Sequence, residues 1–183
     1  MEVIPLGLEG VLELRPKKFG DARGFFSETY NAERFAAAGI SLTFVQDNHS
    51  FSAAKGVVRG LHYQVAPRAQ DKLVRVTRGS ILDVAVDIRK SSPTFGKWNS
   101  LVISAAQWNQ VLVPKGFAHG FVTLEENTEV IYKVTDYYSA EHDRSIRFDD
   151  PAIGIEWPFP SSFVQLSDKD KMAPTLADSD VFA

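Results

Sequence analysis

His62 stands in the segment Gly56-Val-Val-Arg59-Gly60-Leu-His62-Tyr-Gln64, and Gln70-Asp-Lys72 follows closely. On an extended chain His62 and Gln64 share one face, with Leu61 and Tyr63 on the other. A histidine inside a β core is most often hydrogen-bonded and structural. Here its neighbours are Arg59, Gln64 and Lys72, a set that a dry interior does not tolerate together. The segment therefore points to a polar cavity. Regular alternation turns Arg59 away from His62. Both can line one cavity only across a bulge, and Gly60 is the place for it. A second histidine closes the run Val111-Leu-Val-Pro114-Lys-Gly116-Phe-Ala-His119, and a small barrel would bring it to the same cavity. An imidazole so placed can ligate a metal or carry a proton. Two further polar clusters, Asp21 to Glu28 and Val45 to Ser50, read by themselves as a turn with an edge strand and as a polar loop.

The elements that must hold these groups are mostly strands. Short runs at Val11–Leu14, Gly24–Tyr30, Leu42–Val45, Gly56–Gln64, Lys72–Thr77, Ile81–Ile88, Ser100–Ser104, Gln110–Val113, Gly120–Leu124 and Glu129–Val134 are parted by turn signals such as Arg78-Gly79 and Ser92-Pro93. That rhythm predicts a β-sandwich or barrel with few helices. The clearest helix is Asn31–Ala38, with Asn31 as its cap and Gly39 suited to the left-handed position after its end. Trp157-Pro-Phe-Pro160 cannot form a central strand, so the tail from Pro151 reads as an irregular cover. The 13 Phe, five Tyr and three Trp read first as core and interface. Trp108, in the turn after Ser104, reads as exposed: a subunit contact or plain surface.

A chain of 183 residues suits one domain, with an arm over about residues 1–20 and the cover over 151–183 packed on it. Twenty Lys and Arg against 23 Asp and Glu, a net charge of −3, exclude a broad polybasic surface for nucleic acid but not a small basic pocket. Without cysteine there is no disulfide, zinc–thiolate site or thiol catalysis. Neither a signal peptide nor a membrane-length apolar run is visible, so the expected location is the cytoplasm.

Gly56-x5-His62-x-Gln64 and Pro114-x-Gly116-x2-His119 resemble the two motifs of the cupins. Gln64 replaces the second imidazole of the first motif, and Arg68 and Ala69 stand where its carboxylate is expected. Two histidines beside an Arg and a Lys make a poor metal site, so the expected site holds no metal and leaves His62 free to carry protons. The resemblance sharpens with Val45-Gln-Asp-Asn-His-Ser50, Arg59-Gly-Leu-His-Tyr-Gln64, Gln70-Asp-Lys-Leu-Val-Arg75, Asp83-Val-Ala-Val-Asp-Ile-Arg89, Ser92-Pro-Thr-Phe-Gly96, Pro114-Lys-Gly-Phe-Ala-His-Gly-Phe121 and Ile155-Glu-Trp-Pro158, which occur in one order. From about Gly20 to Leu176 the chain resembles the dTDP-4-dehydrorhamnose 3,5-epimerase family.

That resemblance implies a homodimer of jelly-roll subunits. It implies a cofactor-free enzyme of dTDP-L-rhamnose synthesis that inverts C3 and C5 of dTDP-4-dehydro-6-deoxy-D-glucose. His62 would be the base and Tyr132 the proton donor on the opposite face. Asp170 would be the carboxylate behind His62, with Asp168 as second choice, and Lys72 would stabilise the enolate. Arg23 and Arg59 match positions that hold the diphosphate. Glu28, Gln46 and Asn48 match positions that hold nucleotide or sugar, and His119 one near the sugar carbonyl or the diphosphate. Lys169 would stand at the mouth, Phe26 and Tyr138 would flank base or sugar, and Asp143 replaces the family's usual Glu. The alternatives are a C3-only or C5-only epimerase, a dTDP-ketosugar isomerase, a metal-dependent cupin oxygenase and a non-enzymatic sugar-binding cupin.

Overall fold

The computed structural model describes residues 1–183 and builds them into two antiparallel sheets. The first runs in the order β1 (Glu2–Pro5), β2 (Leu12–Arg15), β10 (Gln110–Val113), β7 (Lys72–Arg78), β12 (Thr128–Val134), β5 (Gln46–Ser52). The second runs β13 (Asp143–Ser145), β6 (Val58–Gln64), β11 (Phe117–Thr123), β8 (Ser80–Asp87), β9 (Trp98–Ser104). A separate hairpin pairs β3 (Lys18–Asp21) with β4 (Gly24–Ser27). The helices are short: α1 (Ala32–Ala37) and α2 (Asp168–Lys171). The expected all-β jelly-roll sandwich is what the chain forms.

The inner faces of the sheets meet over Val74, Val76, Val111, Val113 and Val130 from one side and Ile81, Ala85, Ile103, Phe117 and Phe121 from the other. The second sheet is apolar on its outer face as well. Leu61, Tyr63, Val84, Val86, Ile88 and Ala118 lie there beneath Ile153, Trp157, Leu176 and Phe182 of the C-terminal tail. This is why β8 reads as an almost unbroken apolar run. Asn31 Oδ1 accepts from Arg34 N–H at 3.1 Å to cap α1, and Phe35 of that helix is buried on Leu14, Leu73 and Leu112.

Three expectations need correction. Leu42–Val45 is not a strand; Leu42 and Phe44 pack against the Phe35 cluster as irregular chain. The strand begins at Gln46, in the segment that reads as a polar loop. It is an edge strand with polar residues on both faces, so no apolar alternation marks it. Trp108 is half-buried rather than exposed: Phe25 packs on its ring edge at 4.8 Å and the Lys18 ammonium lies 4.7 Å from its centre.

Candidate active site

Arg59 and His62 do line one cavity, and the bulge between them is the reason. His62 pairs with His119 and Arg59 with Phe121, so three residue steps on β6 face two on β11. At the bulge Gly60 has φ +130°, and a Cβ there would meet Gly120 Cα at 2.5 Å. Only two glycines let the strands close to this distance.

The cavity, of about 440 Å³, opens between the sheets. His62 and Arg59 come from β6, His119 and Phe121 from β11, Lys72 from β7, Tyr132 from β12 and Ser50 from β5. Leu166, Ser167 and Asp170 of the tail close it. A second hollow of about 360 Å³ shares His62, Lys72 and Tyr132 and adds Gln46, Asn48, Gln64, Tyr138, Asp143 and Lys169. The inward row Gln46, Asn48, Ser50, Ser52 on β5 follows from strand alternation. Gln46 donates to Asn48 Oδ1 at 2.9 Å, and Ser52 Oγ accepts from Arg59 Nε at 3.2 Å.

His62 Nε2 lies 2.5 Å from Asp170 Oδ1. Burial pulls the Asp170 carboxyl upward, but hydrogen bonds from His62 and Ser167 outweigh it and leave it below the ordinary carboxylate range. An ionised carboxylate only accepts. The proton on this side therefore sits on Nε2, and in the neutral imidazole Nδ1 is left with its lone pair. The His62 side chain is 31% exposed and that of Asp170 3%, so the ring reaches the cavity while its partner stays dry. Asp168, the alternative partner, is fully exposed and paired with Lys171 at 3.0 Å. A second, buried pair joins His119 Nε2 to Asp83 Oδ2 at 2.8 Å.

Lys72 Nζ makes one hydrogen bond, to the His62 carbonyl at 3.1 Å, which leaves two of its donors free. Burial pulls this ammonium down to about 8, against the Asp143 and Asp83 carboxylates that hold it up. It is still a cation at neutral pH. Burial pushes the Tyr132 phenol above its ordinary value, so it keeps its proton. No three His, Asp or Glu side chains anywhere converge closely enough to hold a metal ion.

The structure thus gathers His62, Lys72, Tyr132, Asp170, Arg59 and His119 around the first hollow, and Gln46, Asn48, Tyr138, Asp143 and Lys169 around the second. Lys169 and Asp143 form an ion pair at the mouth. It does not bring in the other three. Arg23 and Phe26 lie on the β3–β4 hairpin, Arg23 held by Asp21. Glu28 binds Arg34 at 3.1 Å beside α1. Sequence reading missed Ser50, Asp83 and Ser167. Ser50 was legible as the next inward position after Asn48. Ser167 was legible as Ser-x-x-Asp, the cap of a helix too short to show a period.

The family model for dTDP-4-dehydrorhamnose 3,5-epimerase matches residues 5–178. The dTDP-4-dehydrorhamnose 3,5-epimerase of Salmonella typhimurium is 55% identical over 177 residues, 96% of each chain. A crystal structure of the same enzyme from Bacillus anthracis, with TDP and PPi bound, superposes with a TM-score of 0.92 at 49% identity, covering 95% of this chain and 98% of that one. The dTDP-6-deoxy-D-glucose-3,5-epimerase of Legionella pneumophila, in complex with dTDP-4-keto-L-rhamnose, superposes at 0.93 with 46% identity, covering 98% and 94%.

Proposed function

The chain belongs to the dTDP-4-dehydrorhamnose 3,5-epimerase family, a family of carbohydrate epimerases that serves dTDP-L-rhamnose synthesis, and we propose that it inverts C3 and C5 of dTDP-4-dehydro-6-deoxy-D-glucose from the His62 cavity. The observation that carries this reading is the His62–Asp170 pair, 2.5 Å apart, with the free edge of the imidazole in a cavity that also holds Lys72 and Tyr132.

The C4 ketone acidifies the hydrogens on C3 and C5. His62 Nδ1 takes one of them, and the C–H electron pair moves into an enolate with its charge on O4. The imidazolium that results is stabilised by Asp170, which keeps its negative charge throughout. The two free donors of Lys72 serve the O4 charge in a site shielded from water. Tyr132 then gives its phenolic proton to the same carbon from the opposite face. A single histidine would return the proton to the side it left, so inversion of a held ring needs two proton carriers of different position. The tyrosinate and imidazolium left behind are reset by proton exchange before the second centre reacts.

Arg59, fixed by Ser52 and the Phe51 carbonyl, is preorganised for the diphosphate. The polar row on β5, with Tyr138, Asp143 and Lys169, serves the nucleotide and the mouth. Arg23 and Phe26 are proposed ligand contacts that lie outside their own chain's cavity. A homodimer in which each hairpin reaches the partner's cavity reconciles the two. The exposed Phe19, Phe25 and Phe26 on that hairpin support it.

Turnover in D2O tests the reaction. Deuterium is expected at both C3 and C5. One label would make the chain a single-centre epimerase, and no label would leave a binding protein.

A further inference from the structure

The carboxylate that supports the base is itself held by a residue with no assigned role. Asp170 sits on α2, one turn of helix inside the tail. Its Oδ1 faces His62 at 2.5 Å. Its Oδ2 accepts the Ser167 hydroxyl at 2.8 Å, and the same Ser167 Oγ accepts the Asp170 N–H at 3.1 Å. Ser167 also lines the cavity. A helix cap needs only the second of these bonds. The first uses the one proton a serine hydroxyl has to give, and it goes to the oxygen that His62 does not use.

We propose that Ser167 is a positioning residue of the reaction: through the Asp170 carboxylate it sets the orientation and proton affinity of His62. The inference rests on the reading of His62 as the base. Donation to Oδ2 fixes the plane of the carboxylate, so that Oδ1 meets the imidazole edge. It also withdraws charge from the carboxylate. Without that bond the anion holds the imidazolium more tightly, and His62 gives up its proton at higher pH.

Capping and donation are separable by substitution. Thr at this position can do both. Asp can accept from the Asp170 N–H but has no proton to donate when ionised, and it sets a like charge beside Asp170. Ala can do neither. The expected results are near-native kcat for Ser167→Thr and a kcat loss of about tenfold for Ser167→Ala, the scale of a hydrogen bond to a charged group. Ser167→Asp should lose as much in kcat, at a lower thermal midpoint, because it sets a like charge beside the buried Asp170 carboxylate. The acid limb of its kcat/KM profile should rise by about one pH unit, because the added anion stabilises the His62 imidazolium. In an Asp170→Asn background Ser167→Ala should cost nothing more. Binding of dTDP checks that each variant is folded.

A fully active Ser167→Asp with an unmoved pH profile would reduce Ser167 to a cap and overturn the proposal. So would an undiminished tenfold loss in the Asp170→Asn background. Failure of the underlying reading is a separate result, seen as hydrogen exchange that survives in His62→Ala.

Discussion

Lys72 shows at the scale of one residue how a site is made at the expense of the fold. Its ammonium is buried, has one hydrogen bond and is pulled down to about 8 by burial. Below that pH the native state holds a charge that water would solvate better. A displacement from 10.5 to about 8 corresponds to roughly 3 kcal/mol. Between pH 8 and 10.5 the unfolded chain keeps the Lys72 proton and the folded chain does not, so this residue's contribution to stability rises with pH across that window. Lys72→Met should therefore be more stable than the native chain at pH 7, by up to about 3 kcal/mol, and the gap should close toward pH 10.5. Its turnover should fall by about 10²–10³-fold, the usual cost of losing one oxyanion donor. Denaturant melts at pH 7 and pH 10 check the first part. A destabilised variant with a pH-independent gap would show that Lys72 is not an unrelieved buried cation.

At the scale of elements, the site depends on one irregularity in β6. A regular strand would put Arg59 and His62 on opposite faces, and the proposed diphosphate anchor and the proposed base could not share a substrate. The bulge exists because Gly60 and Gly120 let β6 and β11 approach more closely than any side chain allows. Gly60→Ala should shift that backbone, lower stability by more than about 1 kcal/mol and abolish turnover even where the chain still folds. A native melting curve with native turnover would remove the bulge from the account. The strands with an apolar face were legible in the sequence, as was α1 with its Asn31 cap. So was Gly60 as the place for a bulge, on the condition that Arg59 and His62 line one cavity. β5 was not legible. Its one face lines the polar cavity and its other meets solvent, so it lacks the pattern that marks a strand. α2 was hidden for a related reason: one turn is too short to show a period, and its charges read as a solvated tail.

At the scale of the whole molecule, the sandwich supplies a dry frame and the tail closes it. Asp170, held by Ser167, reaches His62 because the chain from Gln165 runs beside β6, bridged to Val57. Contacts between segments more than 100 residues apart, such as His62 with Asp170, carry no local signal; they were legible only through the family motifs. The hairpin points the other way, outward. If it completes a partner's cavity, Arg23→Ala and His62→Ala damage opposite halves of each composite site. Co-refolding the two inactive variants then gives mixed dimers with one intact site each, on the order of a quarter of native activity for random pairing. Activity no higher than that of the separate variants would leave the hairpin outside catalysis.

In the proposed reaction the His62 imidazole, supported by Asp170, removes hydrogen from carbon beside the C4 ketone. The most direct test of this step is His62→Ala in D2O, following label at C3 and C5 by mass spectrometry while dTDP binding is monitored. Exchange at both carbons should fall by about 10²–10⁴-fold with dTDP affinity nearly intact. Exchange at the native rate in a variant that still binds dTDP would contradict it.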